Sequence, residues 1–349
     1  MVASAAMDLR AYIGSLPKAE LHVHLEGAIA PELACTLAAR HGLRLPGDEH
    51  GPAGVRAAFR FTDFGSFIRA YLAVSKCLQT VDDIRDAVAA LAQRLADQNV
   101  RHAEVTFTPV THLVLGTSAD TLEAGLLEGR AAAAELGVSI GYVLDIVRSF
   151  LDQGEPTLAF ALRMHARAPG SVVGLGLGGP EGGDHPYQPL RDVFARAKAA
   201  GLRSLPHAGE LLGPQSIRNA IAILGADRIG HGVRCLEDPA LVEELARRGI
   251  PLEVCPSSNV ALGVVPSLAE HPLPRLLAAG VEVSLATDDP ALFGVELVEE
   301  HVRCANAFAF TLSQIYGLVA ASLRHAIVDD ATKRAWLAEL DAVPEPDPR

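Results

Sequence analysis

Short apolar runs alternate along this chain with longer stretches in which apolar residues recur every three or four positions. The short runs predict eight strands, over 19–25, 101–107, 138–146, 172–178, 202–207, 228–231, 250–255 and 281–288. Helical sequence follows each of them. Pro31 opens a helix over 32–41 that ends at Gly42, and Ile84, Val88, Leu91 and Leu95 share one face of another. Thr80 and Asp83 form a capping box in front of that face. Gly137, Gly201, Gly225, Gly249 and Gly280 each stand between a helix and the next strand, where a left-handed residue ends a helix at little steric cost. Pro156, Pro189, Pro214 and Pro239 mark helix starts. Residues 43–63, rich in Gly and Pro and carrying Phe59 and Phe61 with Phe64 just beyond, predict a lid. The spacing is uneven, so the pattern is βα alternation and not a solenoid. No low-complexity linker divides it. The expectation is one unit over 1–349 with its core at 16–325, further helices over 293–341 with Phe308, Phe310 and Trp336 as packing residues, and a frayed end at 343–349.

Composition narrows the partners. Hydrophobic residues make up 49% of the 349, enough for a full core, and the formal charge of −12 leaves no basic footprint for nucleic acid or an anionic membrane. A small neutral or zwitterionic ligand suits such a surface, and nothing in the pattern opposes a homo-oligomer. The five cysteines, Cys35, Cys77, Cys235, Cys255 and Cys304, are odd in number and far apart, which fits no disulfide framework and predicts a reducing, cytoplasmic setting. The first residues have no signal-peptide pattern, and no apolar run reaches the roughly 20 residues of a membrane span.

The chemistry gathers at strand ends. His22 and His24, two apart on the first strand, point the same way. His207 closes the fifth strand, with Glu210 three residues on, and Asp288 and Asp289 close the eighth. Three imidazoles and a carboxylate suit Zn²⁺, with Fe²⁺ or Mn²⁺ as alternatives, and a carboxyl free to move protons completes a kit for metal-assisted hydrolysis. Each residue also has a plainer reading: a polar edge for His22 and His24, a structural histidine for His207, a helix cap for Asp288 and Asp289, a turn histidine for His231 between Gly230 and Gly232. Taken together they favour one metal, whose ligands must all lie within roughly 2.0–2.3 Å of it. An open sheet would spread these strand ends along a crevice. A closed (β/α)8 TIM barrel makes the eighth strand a neighbour of the first, so the fold class expected is that barrel with additional C-terminal helices.

Four blocks also carry a resemblance. The segment Pro17 to Gly27 with its His22-Val23-His24 pair, the block His207-Ala208-Gly209-Glu210, the run Arg228-Ile229-Gly230-His231-Gly232, and Ser284 to Pro290 are similar, in order, to the adenosine deaminase family of the amidohydrolase superfamily. The resemblance spans residues 16–325. It implies one zinc held by His22, His24, His207 and Asp288, and hydrolytic release of ammonia from a 6-aminopurine nucleoside. Glu210 would protonate the purine ring and then the leaving amine, and His231 and Asp288 would orient the attacking water. His24, Glu26, Gly179 and Asp289 would touch the substrate. Glu26 departs from the Asp common in adenosine enzymes and occurs in adenine deaminases. Gly178-Gly179-Pro180-Glu181 looks more like relatives acting on aminodeoxyfutalosine, an adenosine derivative extended at its 5′ position. Those two substrates are the alternatives to a nucleoside, and a catalytically silent purine-binding barrel is the alternative class. The zinc deaminases built on H-x-E and P-C-x-x-C are excluded, because Cys255-Pro256 has no second cysteine to follow it.

Overall fold

The computed structural model describes residues 8–61, 63–182 and 187–344. Eight strands run β1 (Lys18–His24), β2 (Val100–Phe107), β3 (Ser139–Val147), β4 (Val172–Gly178), β5 (Arg203–Ala208), β6 (Ile229–His231), β7 (Leu252–Val254) and β8 (Val283–Leu285). Each is hydrogen-bonded to the next in chain order, and every ladder is parallel. The circle closes through a parallel bridge between Val23 and Asp288, where the Asp288 amide donates to the His22 carbonyl at 3.0 Å and the His24 amide donates to the Asp288 carbonyl at 2.8 Å. The fold is therefore the TIM barrel with C-terminal helices that the strand-end ligands implied.

Local chemistry fixes the outer ring of helices. Thr80 and Asp83 do form a capping box at the start of the helix Val81–Ala96, whose buried face carries Ile84, Val88, Leu91 and Leu95. Pro214 and Pro239 sit in the first turns of their helices, and Gly225 and Gly249 end them with φ of 61°. The helix Leu312–His325 lies on β1 and β8, and its Ile315, Val319 and Leu323 share a second apolar cluster with Tyr12, Ile13 and Leu21. Trp336 stacks on His102 with ring centroids 5.9 Å apart, and Phe308 meets Phe310 at 5.3 Å.

Some boundaries differ from the sequence expectation. The ladders of β6, β7 and β8 are three residues each, and Asp288 stands beyond β8, tied in only by the closing bridge. A short helix, Leu9–Ser15, precedes β1 and packs against the helix Leu297–Phe308. The segment expected as a lid contains a 3₁₀ turn (Asp48–His50) and the helix Gly51–Ala58, with Leu45, Val55 and Phe59 buried. Its residue 62 lies outside the described residues, as do residues 345–349 of the expected frayed end. Among the described residues, no helix is long and apolar enough to cross a membrane, and all five cysteines are free.

Candidate active site

At the C-terminal mouth of the barrel, His22 and His24 on β1, His207 on β5 and Asp288 after β8 each offer one donor atom, and the four atoms all lie within 4.8 Å of one another. Nε2 of His24 is 3.2 Å from Nε2 of His207 and 3.3 Å from Oδ1 of Asp288, while Nε2 of His22 is 3.5 Å from that same oxygen. All four residues are buried. Nδ1 of His22 donates to Oε2 of Glu253 at 2.7 Å, which leaves Nε2 facing the cluster with no hydrogen-bond partner. A buried imidazole nitrogen without a partner is costly unless something positive meets it. Burial opposes charge on His22, yet the Asp288 and Glu253 carboxylates on either side raise its pKa well above the usual histidine range. Burial holds the other two imidazoles neutral, His24 below its ordinary pKa and His207 well below, with the neighbouring histidines helping at His207. Two neutral imidazoles, a third on which a cation would take the place of a proton, and one carboxylate fit a divalent cation. A second grouping of His231, Cys255 and Asp288 is a poorer fit, because burial and then Asp288 push the Cys255 thiol well above its usual range and so oppose the thiolate a metal needs.

The backbone is bent to make this cluster. His231 and Asp288 have φ of 62° and 65°, left-handed values that non-glycine residues adopt at a cost, and both stand at the site. Gly230 lets the chain pass close to His22: a Cβ there would lie 2.7 Å from Cε1 and 3.1 Å from Nδ1 of that ring. Gly230→Ala should therefore tilt His22 away from its partners while leaving the barrel folded. The expected result is metal affinity lowered about 10–100-fold in chelator competition, with an unchanged circular dichroism spectrum. Unchanged affinity would show that the His22 ring is not held by this contact.

Glu210 lies beside the cluster, with Oε1 3.8 Å from Nε2 of His231 and without a hydrogen-bond partner. Burial, then the Asp288 and Glu181 carboxylates nearby, push its carboxyl up to about 8, so at neutral pH it holds a proton. Burial likewise takes His231 down to about 4. The cavity in front of these groups has a volume of about 270 Å³. Phe64, Phe67, Ile68, Tyr71 and Leu72 of the helix Phe64–Ser75 form one wall, so the wall begins where the expected lid ends. Phe150, Leu262, Val147, Gly179, Asp145 and Asp289 complete much of the remainder, with Thr108, Thr111 and Ser149 as neutral polar groups. Among the described residues, no Lys or Arg lines it.

Seven of the nine residues singled out from sequence, His22, His24, His207, Glu210, His231, Asp288 and Asp289, stand in or against this cluster, and Gly179 lines the cavity beside them. Glu26 stands apart. It is fully buried behind the wall, where its Oε1 accepts from Nε2 of His112 at 2.9 Å, and it does not line the cavity. Other participants were not singled out from sequence. Glu181 accepts from the backbone amides of Gly209, Glu210, Leu211 and Leu212 at 2.8–3.0 Å and from the Ser216 hydroxyl, so one carboxylate shapes the loop that presents Glu210. Arg148 donates to the His207 carbonyl. Asp145, on β3, sits where the missing side chains of Gly176 and Gly178 would be, with Oδ2 3.9 Å from Nδ1 of His207. Ser258 donates to Oδ2 of Asp288 at 2.7 Å.

The family's sequence profile, described as Adenosine deaminase, matches residues 17–343. The chain belongs to the adenosine deaminase family. It is an enzyme of the hydrolytic kind found there, acting on an amidine C–N bond. Within the adenosine deaminase family it is 40% identical over 342 residues to an aminodeoxyfutalosine deaminase from Streptomyces avermitilis, covering 97% of this chain and 94% of that one. The crystal structure of an adenine deaminase from Arthrobacter aurescens superposes with a TM-score of 0.88 at 36% identity, covering 93% of this chain and 98% of that one. An amidohydrolase from Burkholderia ambifaria with bound Zn superposes with a TM-score of 0.86 at 27% identity, over 98% and 95% of the two chains.

Proposed function

We propose that this chain hydrolyses the exocyclic amine of a 6-aminopurine, with aminodeoxyfutalosine as the first candidate substrate and free adenine as the second. The observation that carries the reaction class is the convergence of four donor atoms within 4.8 Å beside a carboxyl that holds its proton at neutral pH. The sequence reading put a simple nucleoside first. The relatives weigh toward its two alternatives, since their names are aminodeoxyfutalosine deaminase and adenine deaminase. The cavity wall supports the larger of these. Phe64, Leu72, Phe150 and Leu262 suit an apolar extension of the purine, and the absence of Lys and Arg from the described lining offers a phosphate no partner. Adenine is kept as the second candidate because Glu26, one of the substrate contacts the resemblance implied, is turned away behind the wall.

His22, His24, His207 and Asp288 would hold a divalent cation, Zn²⁺ first by its donor set and by the zinc-bound relative. When bound, such a cation lowers the pKa of water toward neutrality. Glu210 gives its proton to the ring nitrogen next to the carbon that bears the amine, which makes that carbon electrophilic. Addition of water there gives a tetrahedral centre. A proton of the added water returns to the Glu210 carboxylate, which passes it to the amine; ammonia leaves as the carbonyl forms, and the remaining hydroxyl proton restores the Glu210 acid. Asp289, which burial and Asp288 hold well above the usual carboxyl range, is a protonated donor on the cavity wall for the far side of the purine. Gly179 presents its backbone at the same wall.

The test is ammonia release from aminodeoxyfutalosine, adenine, adenosine and AMP at equal enzyme concentration. The expected order of kcat/KM places aminodeoxyfutalosine first and AMP last. Phe150→Ala should lower the rate on the extended substrate more than that on adenine. No turnover of any aminopurine would overturn the reaction class, and a preference for AMP would overturn the reading of the wall.

A further inference from the structure

Among the described residues that line the cavity, His231 is the one imidazole outside the four-donor cluster, and a line of hydrogen bonds leads from it into the protein. Nδ1 of His231 faces Nδ2 of Asn259 at 3.4 Å, Oδ1 of Asn259 faces Nε2 of His271 at 3.1 Å, and Nδ1 of His271 faces the backbone nitrogen of Leu273 at 3.1 Å. All three side chains are buried. The proton positions along this line follow from one fact: a backbone N–H can only donate. Leu273 therefore makes Nδ1 of His271 an acceptor, and the single proton of that ring lies on Nε2. Nε2 donates to the amide oxygen of Asn259, which turns the Asn259 NH₂ toward His231. The NH₂ donates to Nδ1 of His231, so Nδ1 carries the lone pair and Nε2 carries the proton. Asn259 cannot flip without setting its NH₂ against the His271 N–H, and its backbone carbonyl, which accepts from the amides of Val264 and Val265 at 2.8 and 3.1 Å, anchors the segment that carries it.

We infer that Asn259 and His271 are positioning residues that lock His231 as a neutral ring with its proton on Nε2, so that His231 enters the reaction as a hydrogen-bond donor and not as a base. That N–H points between Oε1 of Glu210 at 3.8 Å and Oδ2 of Asp288 at 3.9 Å, the space in which an added oxygen would gain charge. Burial takes His271 down to about 4, in keeping with the neutral ring this hydrogen-bond line requires there. The role in turnover rests on the aminopurine hydrolysis proposed above; the tautomer does not.

The experiment is long-range ¹H–¹⁵N correlation on metal-loaded protein with ¹⁵N-labelled histidine, His231→Gln assigning the His231 signals among the 13 histidines. The wild-type spectrum should show His231 neutral with the proton on Nε2. His271→Phe removes the anchor and should give a mixed or inverted tautomer, with kcat down about tenfold or more and KM little changed, the direction of a wrong-tautomer penalty. His271→Gln can accept from Leu273 and donate to Asn259, and should restore both the spectrum and kcat. A wild-type His231 that is charged or protonated on Nδ1 would overturn the inference without any variant. So would His271→Phe with an unaltered His231 signal. Silence toward every purine, with the wild-type signal as expected, would instead count against the substrate reading.

Discussion

Glu210→Gln should retain the metal and the fold yet lose about 10²–10⁴-fold in kcat, the span attributed to a positioned proton-transfer group. An amide keeps the shape and can still donate a hydrogen bond, but it has no acidic proton to give. The wild-type pH profile should carry the same signature. Burial and the neighbouring Asp288 and Glu181 carboxylates place the Glu210 carboxyl at about 8. The active form is the protonated one, so kcat should hold through neutral pH and fall about tenfold per unit above about pH 8. Steady-state rates with a saturating substrate, alongside metal content, check both statements. Near-full activity in Glu210→Gln would remove the proton shuttle from the mechanism.

Replacing Arg228 by Leu should cost about 3–5 kcal/mol of stability, the usual range when one partner of a buried ion pair is removed. The Arg228 guanidinium is 3% exposed and bonds Glu253 through Nε, both oxygens of Glu104, and the His325 carbonyl at 2.6 Å. Glu253 in turn holds His22. Leu at 228 leaves two carboxylates in the barrel interior without their cation. Burial alone would raise the Glu104 carboxyl, but Arg228 and His102 bring it from its ordinary value of 4.5 down to about 2. A depressed acid stabilises the fold above its unfolded pKa, so this contribution is complete above about pH 4.5 and disappears as pH falls toward about 2. Urea denaturation should show a lower midpoint at constant slope for Arg228→Leu, with part recovered by adding Glu104→Gln. A midpoint unchanged at neutral pH would mean that the interior tolerates the bare carboxylates and the pairing contributes little.

The four-donor cluster was legible because each member lies in or just past a strand and carries a chemistry that plain packing does not need. His22 and His24 alternate in register, His207 follows an apolar run, and Asp288 precedes a proline that starts a helix. Barrel closure followed from requiring those ends to meet. What sequence could not give were partners whose role depends on a neighbour's shape. Asp145 looks like any polar residue in a strand until Gly176 and Gly178, on the next strand, leave room for its carboxylate. Glu181 belongs to a Gly-rich turn in sequence and becomes the clamp of the Glu210 loop only in three dimensions. Asn259 and His271 lie twelve residues apart with nothing in their spacing to join them. Glu26 shows the opposite case: the family resemblance implied a substrate contact there, and the fold turns it onto His112. The runs read for β7 and β8, 250–255 and 281–288, extend past their ladders at both ends, where single interstrand bonds such as the Ala286 amide to the Val254 carbonyl at 3.0 Å continue the contact without a full ladder.

The closing bridge between β1 and β8 is built from the backbones of His22, His24 and Asp288, three of the four residues whose side chains form the donor cluster. Parting of that seam would draw the donors off one another in the same movement, so breathing of the barrel wall and release of a bound ion become one event with one free energy. Occupancy of the cluster would in turn act as a rivet across the last joint of the cylinder, and amide exchange at residues 24 and 288 would slow when it is filled.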